Sequence, residues 1–147
     1  MGREGLFFVA AMAIVSTVIT GWAIRRRQRA AVREAAAGLA PTVDIAIRRL
    51  GTDHAWRGRW RHGMATISAQ ELRWRPQRFR PGPPIRLTNV HRLGEPREIV
   101  GHETIWLAPE LLIYRVVSTD APDVQYELAV FPNSDRYLNQ LPQRRPR

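Results

Sequence analysis

Residues 60–75 read WRHGMATISAQELRWR. After a short polar stretch at 68–70, Leu72 and Trp74 alternate with Arg73 and Arg75. Before it, Trp56, Gly58, Trp60, His62 and Met64 fall on one parity and Arg57, Arg59 and Arg61 on the other. Successive side chains of a strand point to opposite faces, so two alternating runs around a turn predict a β-hairpin with an aromatic face and a basic face.

The same period of two extends outward from this hairpin. Upstream, Val43, Ile45 and Ile47 alternate with Thr42, Asp44, Ala46 and Arg48, which predicts a first strand with one buried face, followed by a loop over residues 50–54. Downstream, Pro76, Pro81, Pro83 and Pro84 interrupt any ladder, because proline has no N–H to donate. A fourth strand is expected through Ile85, Leu87, Val90 and Leu93, a fifth over 98–107, and a sixth over 111–118, LLIYRVVS. The DAPD segment at 120–123 is a turn, and residues 124–131 form a seventh strand with Val124, Tyr126, Leu128 and Val130 on one side. Ser134 is placed to cap a short helix carrying Tyr137, Leu138 and Leu141 on one face. Seven short strands and a terminal helix predict a mainly-β domain over 42–141, a strongly bent antiparallel sheet or barrel of pleckstrin-homology-like plan, with an open sandwich as the alternative. Residues 142–147 are a basic tail.

Ahead of this domain lies GLFFVAAMAIVSTVITGWAI, residues 5–24, without a charge. At about 1.5 Å per residue such a helix covers roughly the 30 Å of a bilayer's hydrocarbon layer. Gly5, Leu6, Phe7, Phe8, Ile14, Val18, Gly21, Trp22 and Ile24 belong to this expected span within an anchor helix over 1–24. Arg25, Arg26, Arg27, Arg29 and Arg33 follow it, in a stretch over 25–41 that reads as an Arg-rich helical stem ended by Gly38 and Pro41. By the positive-inside rule these arginines place the C-terminal domain in the cytoplasm, at the plasma membrane. A cleaved secretory signal would need small residues where the arginine run stands. Gly5, Val9, Ala13, Thr17 and Gly21 share one stripe, a face on which two spans could pack as a homodimer.

The order of span, Arg-rich stem, TVDIAIR strand, WRHGMATISAQELRWR hairpin, proline-broken basic loop, IWLAPELLIYRV strand and VQYELAVF strand before a short helix resembles an actinobacterial family. Its members are short single-pass membrane proteins with a C-terminal pleckstrin-homology-like β domain and no assigned function. The resemblance implies no catalytic residues. The arginine density of residues 57–80 exceeds what it leads one to expect.

All 23 basic residues are arginine, against 13 acidic ones, and the excess is concentrated in the half nearest the expected span. Cysteine is absent, which excludes disulfides and thiolate metal sites. His54, His62, His91 and His102 are scattered without metal-ligand spacing, and Glu95, Glu98 and Glu103 near His102 read as exposed residues that soften a basic surface. No metal, cofactor or catalysis is expected. The constellation with functional content is Arg57, Arg59, Arg61, Arg73, Arg75, Arg78 and Arg80, interleaved with Trp56, Trp60, Trp74 and Phe79. Guanidinium forks suit phosphate and carboxylate. This patch is therefore expected to meet acidic phospholipid headgroups or a membrane protein partner, with nucleic acid the least favoured ligand and a plain solvated face the bland alternative. A binding or scaffold module follows, the rival being an accessory subunit or enzyme of cell-envelope lipid metabolism.

Overall fold

The computed structural model describes residues 26, 29–30, 32–34, 36–51, 59–78 and 82–144. The expected span at 5–24 and the arginines Arg25, Arg27, Arg57 and Arg80 lie outside the described residues. Among the described residues no helix is long and apolar enough to cross a membrane.

The domain is mainly β. Its strands are β1 (Thr42–Arg49), β2 (Arg61–Ile67), β3 (Glu71–Pro76), β4 (Ile85–Thr88), β5 (Val90–Leu93), β6 (Leu112–Ser118), β7 (Ala121–Val130) and β8 (Gln143–Arg144). They form one sheet in the order β4-β3-β2-β1-β7-β6-β5-β8. The named pairs are antiparallel except β5 with β8, so Gln143 and Arg144, expected in the tail, add a short parallel edge beside Arg92 and Leu93. Strands β4 and β5 stand six positions apart, about 29 Å in a flat sheet. Yet Asn89 alone joins them. The sheet must therefore roll up, and β1 makes the roll continuous by pairing with β2 through Thr42–Ile47 and with β7 through Ile45–Arg49.

Asn89 also explains why one expected strand became two. Its φ of 48° lies in the left-handed region, which asparagine tolerates better than branched residues. The chain bends there without reversing, and Leu87 and Val90 enter the core from strands six positions apart in the order.

One face of the rolled sheet lines the interior, where Val43, Ile45, Ile47, Ala65, Ile67, Leu72, Trp74, Tyr114, Val116, Leu128 and Val130 pack together. The C-terminal helical turn, Asp135–Leu138, brings Tyr137, Leu138 and nearby Leu141 into the same core, as the apolar spacing predicts. Ser134 occupies the cap position but its side chain makes no capping bond.

The hairpin of β2 and β3 forms as expected, with Ser68 N–H donating to the Glu71 carbonyl across the turn at 2.9 Å. Its faces divide differently from the expectation. The inward side chains of β2 are Ala65 and Ile67, with Gly63 between them and Arg61. Arg61 therefore stands on the side of Trp74, whereas Arg73 and Arg75 pair with Thr66 and Met64 on the other side. Gly63 decides this. A Cβ there would lie 2.2 Å from the Arg75 carbonyl and 2.5 Å from the Trp74 ring, so only glycine leaves space for the indole to cross the hairpin. The single basic face expected for Arg61, Arg73 and Arg75 is thus two faces.

Residues 98–107 are a second correction. Instead of a fifth strand they contain a 3-10 turn, Gly101–Ile105. Gly101 takes a φ of 52°, and the Glu103 carboxylate accepts the Val100 N–H at 3.2 Å, which closes the start of the turn. The segment lies on the outer face of the sheet, where Leu107 and Leu111 bury Ala46, Ile113, Ala129 and Trp60 in a second apolar cluster.

Candidate functional site

The outer face is divided in two. Where Ala46, Ile113 and Ala129 offer small or apolar side chains, the 98–111 segment covers it. Where β1, β2 and β3 present Thr42, Met64, Thr66, Arg73 and Arg75, it stays open as a groove of about 550 Å³, continued by Pro76, Gln77 and Arg78. Alternation alone puts these residues together: Thr42 faces Thr66, Asp44 faces Met64, and Arg73 and Arg75 face the same two β2 residues from the far side.

Arg73 shares Glu71 with Arg86, and its own contact measures 2.9 Å. Those bonds hold the Glu71 carboxyl below its ordinary pKa, Arg73 foremost. Arg75 and Arg78 form no ion pair with a described residue and are exposed. Asp44 stands on the same face. The groove therefore offers two uncommitted guanidiniums and a third that is half engaged, flanked by hydroxyls; Thr42 and Thr66 touch at 3.3 Å. That set suits a phosphate-bearing anion.

The stem meets the domain at this groove. Residues 29–30, 32–34 and 36 are helical, and the helix ends as Gly38 turns to a φ of 72° while Leu39 N–H donates back to the Glu34 carbonyl at 2.8 Å. Glu34 then reaches forward, accepting the Thr42 N–H at 3.0 Å. Arg26, Arg29 and Arg33 lie on this helix, exposed.

Of the other expected contact residues, Arg59 is exposed ahead of β2. Arg61 turns to the inner face, stacking 4.7 Å over the Trp74 ring and donating to the Pro83 carbonyl at 2.9 Å. Burial there lowers its pKa. It lines a cavity of about 270 Å³ at the mouth of the rolled sheet with Ile47, Arg49, Ile85 and Tyr126. Arg61 and the groove arginines are therefore separated by the thickness of the sheet.

A second constellation escaped the sequence reading. Glu103 and Glu127 are both 2 % exposed, and three arginines converge on them. Arg97 grips both oxygens of Glu103 at 2.8 Å and reaches Glu127 at 3.0 Å. Arg48 bonds Glu127 at 2.7 Å and Glu103 at 2.7 Å while lying 4.6 Å over the Trp60 ring. Arg115 stands 3.6 Å from Glu127. Far from softening an exposed surface, Glu103 ties the 3-10 segment to β1 and β7. The signals available in sequence were the glutamate three residues after Val100, a capping spacing, and Arg97 six residues before Glu103; Arg48 and Glu127 come from strands distant in the chain. Among the described residues no group of His, Asp and Glu could hold a metal ion.

The fold and groove define a mainly-β module with a cationic outer face. No family model, curated protein or solved structure matches the chain.

Proposed function

We propose that this chain is a single-pass membrane protein, of the kind that the span, stem and β-domain order resembles, whose domain lies at the cytoplasmic face of the plasma membrane as a binding module for acidic headgroups. The observation that carries the reading is the junction of stem and groove: Thr42, which lines the arginine groove, is the residue whose amide Glu34 of the stem holds. A helix leaving the bilayer delivers the groove close to the leaflet it came from. Each arginine near an anionic surface adds about 1 kcal/mol of attraction. The tether supplies local concentration, so modest intrinsic affinity suffices.

A pleckstrin-homology-like plan is the finer form of the fold that we favour. Seven consecutive strands in the order β4-β3-β2-β1-β7-β6-β5, rolled around a core that a C-terminal helix closes, support it. The interior is filled by Trp74, Tyr114 and aliphatic side chains, which suits a recognition module.

The test is replacement of Arg73, Arg75 and Arg78 by serine in the full chain. Reconstituted into nanodiscs of mixed phosphatidylcholine and phosphatidylglycerol, the native chain should enrich phosphatidylglycerol around itself, less so at high salt. The triple variant should lose most of that enrichment while its circular dichroism is unchanged, because these side chains point into solvent. Equal enrichment in both would sink the headgroup reading. A C-terminal reporter active only after export would overturn the orientation.

A second reading, an accessory subunit or enzyme of envelope lipid metabolism, draws on the mouth cavity, whose Ile47, Ile85, Pro83 and Tyr126 walls beside Arg49 and Arg61 could admit an acyl chain with an acidic head. Loss of lipid turnover in cells on filling that cavity, with headgroup enrichment intact, would favour it.

A further inference from the structure

The 98–111 segment buries Glu103, Leu107 and Leu111 against the sheet, packs Ile99 and Ala108 partly onto the same cluster, and leaves Val100, Ile105 and Trp106 exposed. Val100 is 61 % exposed, Ile105 75 % and Trp106 49 %. None of the contacts that hold the segment down uses the Ile105 or Trp106 side chain. Neither belongs to a core cluster, so large apolar groups this exposed call for an occupant.

Their position identifies it. The Trp106 carbonyl lies 3.0 Å from His62 Nε2. His62 is the next outward residue of β2 after Met64, and its carbonyl accepts the N–H of Gln77; both Met64 and Gln77 line the arginine groove. Trp106 thus stands at the edge of that groove. At the other end is Thr42, four residues or about 13 Å along β1 from Ala46, the residue paired with His62. Leu39, 61 % exposed, precedes it where the stem arrives. The outer face therefore presents a row of exposed arginines with protruding apolar side chains at either end. An anionic bilayer surface complements that combination: guanidiniums meet phosphates, and tryptophan and isoleucine enter the boundary between headgroups and acyl chains.

We propose that Ile105 and Trp106 form a wedge that inserts into the interfacial layer of the anionic leaflet faced by the arginine groove. The proposal rests on the headgroup reading above and deepens it by assigning the membrane-contacting side chains. The ion network gives the wedge a firm base, since Arg48 and Arg97 hold Glu103 within the turn that carries Ile105.

The chain has no cysteine, so single thiols can be introduced without background. Ile105→Cys, Gln77→Cys in the groove and Asp123→Cys, an exposed residue near the start of β7, are each labelled with an environment-sensitive fluorophore in the full chain. The labelled proteins are placed in nanodiscs of phosphatidylcholine alone or mixed with phosphatidylglycerol. At position 105 the emission should shift to the blue and lose access to iodide, more so with phosphatidylglycerol, while position 123 stays open to quencher. A label at 105 that remains as accessible in both nanodiscs as in detergent overturns the wedge. Shielding at 105 in detergent that grows with protein concentration also overturns it, since a second copy would then be the occupant. If the 77 label responds to phosphatidylglycerol and the 105 label does not, the wedge alone fails; if neither responds, the headgroup reading fails with it.

Discussion

Trp74→Ala should cost about 4 kcal/mol of folding free energy, a large share of the roughly 5–15 kcal/mol that holds a domain together. Trp74 is fully buried, its indole N–H donates to the Ile45 carbonyl at 3.2 Å, and its ring lies over Gly63 with the Arg61 guanidinium stacked above. Removing the ring opens a cavity among β1, β2 and β3, takes the indole N–H from the Ile45 carbonyl and leaves the Arg61 guanidinium with the Pro83 carbonyl but without its stacking surface. Denaturant unfolding of the solubilised full chain, followed by circular dichroism, measures the effect. Trp74→Phe keeps most ring contacts but not the N–H, and should fall between native and alanine. An alanine variant as stable as the native chain would mean that the hairpin does not fold around this ring.

The next largest effect is expected at Glu103. Glu103→Gln leaves Arg48 and Arg97 to share the one remaining buried carboxylate, Glu127, at a cost of about 2–3 kcal/mol, less than for a fully buried pair because Arg97 is partly exposed. The acid response should change with it. Arg97's hydrogen bonds, opposed by desolvation and assisted by the Val100 N–H, lower the Glu103 pKa from 4.5 to about 2. A carboxylate depressed on folding contributes its full stabilisation above the unfolded value and loses it as pH falls through the folded one. Native stability should therefore decline between about pH 4.5 and pH 2, and the glutamine variant should decline less over that interval. Parallel curves would show that Glu103 does not carry the acid sensitivity. The same variant should loosen residues 101–107, which hydrogen exchange at those amides can detect.

Much of the fold was legible because it depends on short-range alternation. Thr42–Arg49, Glu71–Pro76 and Leu112–Ser118 nearly match their expected bounds; Glu71–Pro76 buries one parity, whereas the other two also bury Ala46 and Ile113 under the 98–111 segment. The terminal helix likewise follows from Tyr137, Leu138 and Leu141 falling on one side. The misreadings share a cause. Along Ile85 to Leu93 the apolar spacing is compatible with one strand, and a single left-handed residue, Asn89, breaks it. In β2 the sum of side-chain character favoured an inward Trp60 face, but a neighbouring strand's Trp74 needed the space over Gly63 and reversed it. At Glu103 the expected exposure fails because Arg48 and Glu127, which complete the network with Arg97, are far from it in the chain.

The groove was half legible. Arg73, Arg75 and Arg78 were singled out together and do line one cavity, whereas Arg61 belongs to the opposite face. By itself the sequence determined a mainly-β domain behind an arginine-rich helical stem, with the hairpin of residues 60–75 at its centre, because period, turn residues and charge runs are local properties. Only the tertiary structure decided which arginines share a face, that Glu103 is buried, and that the Trp106 carbonyl meets His62 on β2, next to the groove residue Met64. Those facts depend on strand register and on the rolling of the sheet, which bring residues distant in the chain within hydrogen-bond reach.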